Sequence, residues 1–144
     1  MTPSARPSLD PVLAAEFERN AFNPCVGTVL LSESDRARVW YIRLEPGARI
    51  GFHRHVLDYF WTALTAGRAR SHVDGGPARE TQYFAGQTSH MRFAPGEFML
   101  HDLENVGDTP LTFVTVEHLE SANPPLPLPP GVQPRGLDAG TVAP

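Results

Sequence analysis

Residues 47–67 read GARIGFHRHVLDYFWTALTAG, and the fold turns on this stretch. His53 and His55 stand one residue apart within it. On a β-strand, side chains two residues apart project from one face, about 6.7 Å from each other along the chain. Two imidazoles so placed converge on a single ion if a third donor arrives from another strand. His101, in FMLHDLE (98–104), lies near the end of a strand and before the turn at Asn105-Val106-Gly107-Asp108, and is the natural distant partner.

Outward from this stretch, the sequence breaks into short apolar or alternating runs separated by turn residues. CVGTVLLS and RVWYIRL precede it, the latter alternating Val39, Tyr41 and Arg43 against Trp40, Ile42 and Leu44. RARSHVD, ETQYF, TSHMRF, FMLHDLE and LTFVTVEHL follow, punctuated by Gly75-Gly76-Pro77, Ala85-Gly86 and Pro95-Gly96. Counted with IGFHRH and YFWTAL, these runs give nine strands at near-regular spacing with no helix among them, the pattern of a sandwich or barrel. Asp10-Pro11 reads as an N-cap and first helical residue, so one short helix is expected from Pro11 to about Arg19, ended by Asn23-Pro24. The expected organisation is a leader and helix over 1–25, a β-barrel over 26–120 and a proline-rich tail over 121–144. The tail, with its NPPLPLPPGVQP run, reads as extended chain whose leucines suit packing against the barrel or a neighbour.

The 144 residues suit one domain with a real core. The formal charge is −4 and the sequence has no lysine, so the clustered basic charge of a nucleic-acid-binding surface is lacking. No apolar run approaches a membrane span, and MTPSARPSLD lacks the apolar core of a signal peptide, so a cytoplasmic protein is expected. Cys25 is the sole cysteine, which rules out an intrachain disulfide, and it reads as a buried or inert thiol.

The motifs around the histidines resemble those of the cupin superfamily. Its first motif is matched by Gly47, five residues, then His53-Arg54-His55. Its second is matched by the Pro95-Gly96 turn and by His101, three residues, Asn105, although the distances around the turn are longer than the pattern. The resemblance covers residues 26–118 and implies a small all-β cupin jelly-roll barrel with a ligand site inside. It further implies one divalent transition metal on His53, His55 and His101. The glutamate that cupins usually place after the histidine pair is absent. Asp58 is the nearest carboxylate, but it lies an odd number of residues from His55 and reaches the ion only if the chain bends. Tyr59 keeps the parity of His55 and competes for the position. Asp58 and Tyr59 are therefore the candidate catalytic residues, with Asp58 also a candidate fourth ligand.

Imidazoles with one carboxylate suit zinc, iron(II), nickel, copper or manganese rather than calcium or magnesium. Among the other histidines, His72 shares a face with Arg68 and Arg70 and is expected to face solvent. His90 lines the barrel or the surface, and His118 follows the last strand. Arg43, Tyr41, Tyr59, Trp61, Gln82 and Arg92 are candidates for pocket walls, and a buried arginine there is expected to hold a substrate carboxylate. The functional expectation is a metal-dependent enzyme, of dioxygenase or isomerase/lyase type, on a small organic metabolite. The alternative is a non-catalytic ligand-binding or sensory barrel. The expected partners are a small-molecule substrate and a second copy of the chain, since a small barrel gains by pairing exposed strand edges; neither nucleic acid nor membrane is expected.

Overall fold

The computed structural model describes residues 9–137. One helix, α1 (Pro11–Arg19), precedes nine strands. The strands are β1 (Val29–Glu33), β2 (Ala37–Leu44), β3 (Arg49–His55), β4 (Tyr59–Ala63), β5 (Gly67–His72), β6 (Ala78–Tyr83), β7 (Thr88–Met91), β8 (Met99–Asn105) and β9 (Leu111–His118). They form two antiparallel sheets facing each other, ordered β1-β2-β9-β4-β7 and β3-β8-β5-β6.

Helix α1 starts where the capping chemistry places it: Asp10 Oδ1 accepts the Leu13 N–H at 2.8 Å and Pro11 opens the first turn. Its apolar side seats Phe17, with Leu9, against Phe52 and Leu100 on the outer face of the second sheet. Each such burial stabilises the fold by about 1.5–3 kcal/mol. Alternation along β2 sends Trp40, Ile42 and Leu44 inward. Ile42 and Leu44 pack with Ala63, Ala69, Leu111 and Phe113 between the sheets. Trp40 forms a second cluster with Val26 and Leu30.

The tail returns to this second cluster. Leu128 and Val132 pack on it, Leu126 C=O accepts from Arg38 Nη1, and the Arg135 N–H donates to Leu30 C=O at 2.9 Å. The tail thus covers the outer edge of β1. Asn105, fully buried, closes the turn after β8. Its Nδ2 donates to Leu44 C=O and Thr109 C=O, and its Oδ1 accepts the Gly107 N–H. That turn and the β2–β3 connection are thereby locked together.

Candidate metal centre

His53 and His55 lie on β3, and His101 lies on β8 directly opposite His53. The ring centroids are 4.6 Å apart for His53–His101, 5.1 Å for His53–His55 and 5.0 Å for His55–His101. One ring nitrogen from each falls within 4.8 Å of the others. His55 Nε2 and His101 Nε2 face each other at 3.1 Å.

A bulge sets this arrangement. The β3–β8 register runs Ile50↔Leu103 and then His53↔His101, so β3 carries one extra residue between the pairs. Simple alternation from Ile50 would turn His53 outward. With the extra residue, Ile50, His53 and His55 all line the interior while Phe52 packs on the outer face. Gly51 sits at the bulge because a Cβ there would come within 2.8 Å of Glu16 Oε2. Three side chains from α1 and the loop after it hold the bulged peptide. Glu16 Oε2 accepts the Phe52 N–H at 2.8 Å, and Asn20 and Asn23 each donate to Phe52 C=O. His53 Nδ1 donates to Gly51 C=O at 2.8 Å, which fixes its tautomer and leaves Nε2 as a free lone pair.

Behind the sheet, Arg49 joins this clamp to the strand of His101. Its two terminal nitrogens pair with the two Glu16 carboxylate oxygens at 2.8 and 2.9 Å. Its Nε and Nη2 also donate to Asp102 Oδ2. The guanidinium hydrogen bond holds the Glu16 carboxyl below its usual range. Asp102, fully buried next to His101 in sequence, also accepts the His72 N–H at 2.7 Å and faces His72 Nδ1. His72 is therefore buried rather than solvent-facing. It does share the outer face with Arg68 and Arg70, but Asp102 and Phe52 cover its end of that face.

Burial brings the His53 pKa down to about 4 and holds His55 and His101 well below the usual imidazole value. At neutral pH the three rings present lone pairs rather than charges, the form a metal needs. His55 Nδ1 is buried and unpartnered, so its only engaged nitrogen is the one aimed at His101. Two neutral imidazole nitrogens facing at this distance, with a third beside them, fit a divalent transition ion held by His53, His55 and His101. Among the described residues no cysteine or carboxylate joins the group.

Asp58 stands apart from it. The chain bends between β3 and β4, and Asp58 Oδ1 accepts the Phe93 N–H at 2.8 Å outside the cavity. Asp58, expected as fourth ligand and catalytic residue, is thus not among the residues brought together here: the bend and its backbone partner hold the carboxylate away from the imidazoles. Tyr59 points inward, its ring stacked on His55 at 4.0 Å and 12°. Behind it lies a residue the sequence reading passed over. Glu117, on β9, pairs across the sheet with Tyr59, is 3% exposed and accepts the Trp40 indole N–H at 2.9 Å. Burial pushes its pKa up to about 7. Its parity with Leu111, Phe113 and Thr115 in LTFVTVEHL was the available signal.

The imidazoles open on an interior cavity of about 60 Å³. Its apolar wall comes from Val26, Ile42, Ile50, Trp61, Leu103 and Phe113; Tyr59, Tyr83 and Thr115 complete it. Of the expected pocket walls, Tyr59 and Trp61 are present, while Arg43, Tyr41, Gln82 and Arg92 lie elsewhere. His90 and His118 are exposed on the outer face, both against Phe60.

Known proteins carry the same architecture. A cupin domain from Bordetella pertussis Tohama I superposes with a TM-score of 0.55 at 26% identity, covering 67% of this chain and 95% of its own. An uncharacterized conserved protein with a double-stranded beta-helix domain from Klebsiella pneumoniae gives 0.51 at 26% identity, over 65% of this chain and 76% of its own. The chain folds as a cupin. No family model matches this cupin. Residues from it are 36% identical over 77 positions to the oxalate decarboxylase of Bacillus subtilis, spanning 52% of the chain but only 19% of the decarboxylase. None of the described helices is long and apolar enough to cross a membrane.

Proposed function

We propose that this cupin is a metal-dependent enzyme acting on a small organic metabolite. The observation that carries the reading is the coincidence of three neutral, convergent imidazoles with a cavity walled mainly by apolar side chains. Three histidine donors leave coordination positions for substrate, as catalytic sites require and structural ones do not. A divalent transition ion bound there supplies Lewis acidity toward an oxygen-donor substrate and, as iron(II), redox chemistry. The chain's own residues hold and shield that chemistry. The β3 bulge orients His53, the apolar wall excludes water, and Tyr59 braces His55 face to face. Burial, reinforced by Glu117, raises the Tyr59 pKa and keeps its hydroxyl protonated, so Tyr59 is suited to donating a hydrogen bond or proton to a substrate oxygen. The partial likeness to an oxalate decarboxylase supports chemistry on a small organic acid or a relative of one.

One observation favours a second reading, a ligand-binding barrel without turnover: among the described residues no carboxylate lines the cavity to serve as a general base. Elemental analysis and oxygen-uptake or product assays separate the two. Near-stoichiometric metal in wild type, lost in His53→Ala/His101→Ala, together with turnover of a small metabolite, supports the enzyme. Equal, low metal in both proteins overturns the metal site. Retained metal with ligand-induced thermal stabilisation and no turnover favours the binding barrel.

A further inference from the structure

The imidazoles of β3 differ in what orients them. His53 donates from Nδ1 to Gly51 C=O, and that bond fixes its ring. His55 Nδ1 is buried with no hydrogen-bond partner, so no polar contact behind the ring sets its plane. What lies against its face is Tyr59, at 4.0 Å and 12°. Tyr59 is the first residue of β4, directly after the bend, and its ring can turn about two side-chain torsions unless neighbours hold it. One neighbour runs parallel to it: Phe93, with 6.2 Å between ring centroids and 12° between planes. Phe93, Tyr59 and His55 are thus three nearly parallel rings that lead from the β7–β8 loop to the candidate metal centre. The position of Phe93 follows from the chain around it. β7 ends at Met91, which pairs with Tyr59 across the sheet, and Phe93 is the next residue of the same parity. The strand has ended there, and Asp58 Oδ1 supplies the backbone partner by accepting the Phe93 N–H at 2.8 Å. The loop closes on itself just beyond, where the Ala94 N–H donates to Glu97 Oε1 at 2.7 Å and the Glu97 N–H to Ala94 C=O at 2.9 Å. Phe93 is not among the residues lining the cavity, so its part is played through Tyr59.

We propose that Phe93 is a positioning residue for the metal centre: it holds the Tyr59 ring against His55 and thereby sets the plane of an imidazole whose second nitrogen has no hydrogen bond to orient it. This rests on the reading of His53, His55 and His101 as metal ligands. A metal-binding histidine is ordinarily fixed by a hydrogen bond from its other ring nitrogen. At His55 stacked rings take the place of that bond, because parallel aromatic faces prefer a narrow range of offsets and so resist rotation of either partner.

The test uses the full chain with Phe93→Ala, Phe93→Leu and Phe93→Tyr. Cobalt(II) is titrated against a chromophoric chelator, and its visible bands are recorded on the folded protein. Phe93→Ala and Phe93→Leu are expected to lose about tenfold or more in affinity and to shift those bands. Phe93→Tyr, which keeps the flat ring, is expected to recover both. Leucine keeps most of the bulk and carries the comparison if the alanine variant fails to fold. A packing role alone would lower the melting temperatures of the alanine and leucine variants and leave the affinity and bands of the folded protein as in wild type. That result overturns the proposal, as does an equal loss in all three variants. Absence of cobalt(II) binding by the wild type overturns the metal reading instead. The proposal is then decided on the metal-free chain by the ring-proton NMR signals of the histidines. The His55 signals are expected upfield in wild type, from the Tyr59 ring, and displaced toward ordinary positions in the alanine and leucine variants, while those of His53 stay in place. Unmoved His55 signals overturn the proposal.

Discussion

Glu16 and Phe52, 36 residues apart in sequence, are joined by one hydrogen bond of 2.8 Å from the Phe52 N–H to Glu16 Oε2. That bond pins the extra residue of β3 immediately before the histidine pair. Glu16→Ala should therefore weaken metal affinity by about 10-fold or more, as loss of groups that orient metal ligands commonly does. Glu16→Gln keeps an acceptor for the Phe52 N–H but loses the Arg49 ion pair, and should recover much of the affinity. Competitive cobalt(II) or zinc titration against a chromophoric chelator measures both. A purely structural role for Glu16 would instead lower the melting temperature of both variants and leave the affinity of the folded fraction unchanged.

Asp58→Ala makes the opposite prediction. The carboxylate serves the Phe93 N–H and not the imidazoles. Metal content should match wild type, while unfolding in denaturant should reveal a loss of about 1 kcal/mol. Loss of metal in this variant would restore Asp58 as a ligand.

Tyr59→Phe preserves the ring that stacks on His55 and removes only the hydroxyl. Metal affinity should be unchanged. If the hydroxyl assists the reaction, kcat should fall by about 10²-fold with little change in KM. An unaltered kcat removes Tyr59 from the chemistry.

Glu117 should leave a signature in the pH dependence of stability. Its folded pKa, about 7, lies above that of an unfolded carboxyl, near 4.3. Between those values the unfolded chain has released a proton that the folded chain keeps, so this residue makes stability fall as pH rises from about 4.3 to 7. Arg38 and the Trp40 indole offset part of the effect, and Glu33 adds to it. Glu117→Gln, which can still accept from Trp40, should be more stable than wild type at pH 8 by about 2–3 kcal/mol and nearly equal to it at pH 4.5. Denaturant melts of the metal-free proteins at the two pH values test this.

The tail contributes through contact with the Trp40 cluster. Leu128→Ala and Val132→Ala should each cost about 1 kcal/mol, since both side chains are only partly buried. Removing residues 121–144 should lower the denaturation midpoint further and leave the cobalt(II) spectrum of the folded protein unchanged.

Much of this was legible in the sequence because it is local or periodic. The Asp10-Pro11 cap placed α1, turn residues placed the strands, and spacing brought His53, His55 and His101 to one candidate centre. Parity left Asp58 undecided between facing the ion and facing away; the bend between β3 and β4 and the Phe93 N–H set its actual course. What stayed hidden depends on partners distant in the chain. Gly51 inside an apolar run hints at a bulge, but only the pairing with β8 reveals its position. The Glu16–Arg49–Asp102–His72 network joins α1, β3, β8 and β5, so the burial of His72 cannot be read from β5 alone. Arg43 and Arg92 were candidates for the pocket wall, and neither lines it. Their actual places follow from which face each occupies and which acid or ring it meets.

The bulge in β3 gives that strand something like a reading frame. Deleting Gly51 would leave every cavity and helix side chain in the sequence yet exchange their addresses: His53 and His55 would turn toward α1, and Phe52 and Arg54 would turn into the cavity. A shift of one residue would thus swap an interior lined by three neutral imidazoles for one holding a stranded cation. The length of this strand, and not only its composition, is part of the protein's chemistry.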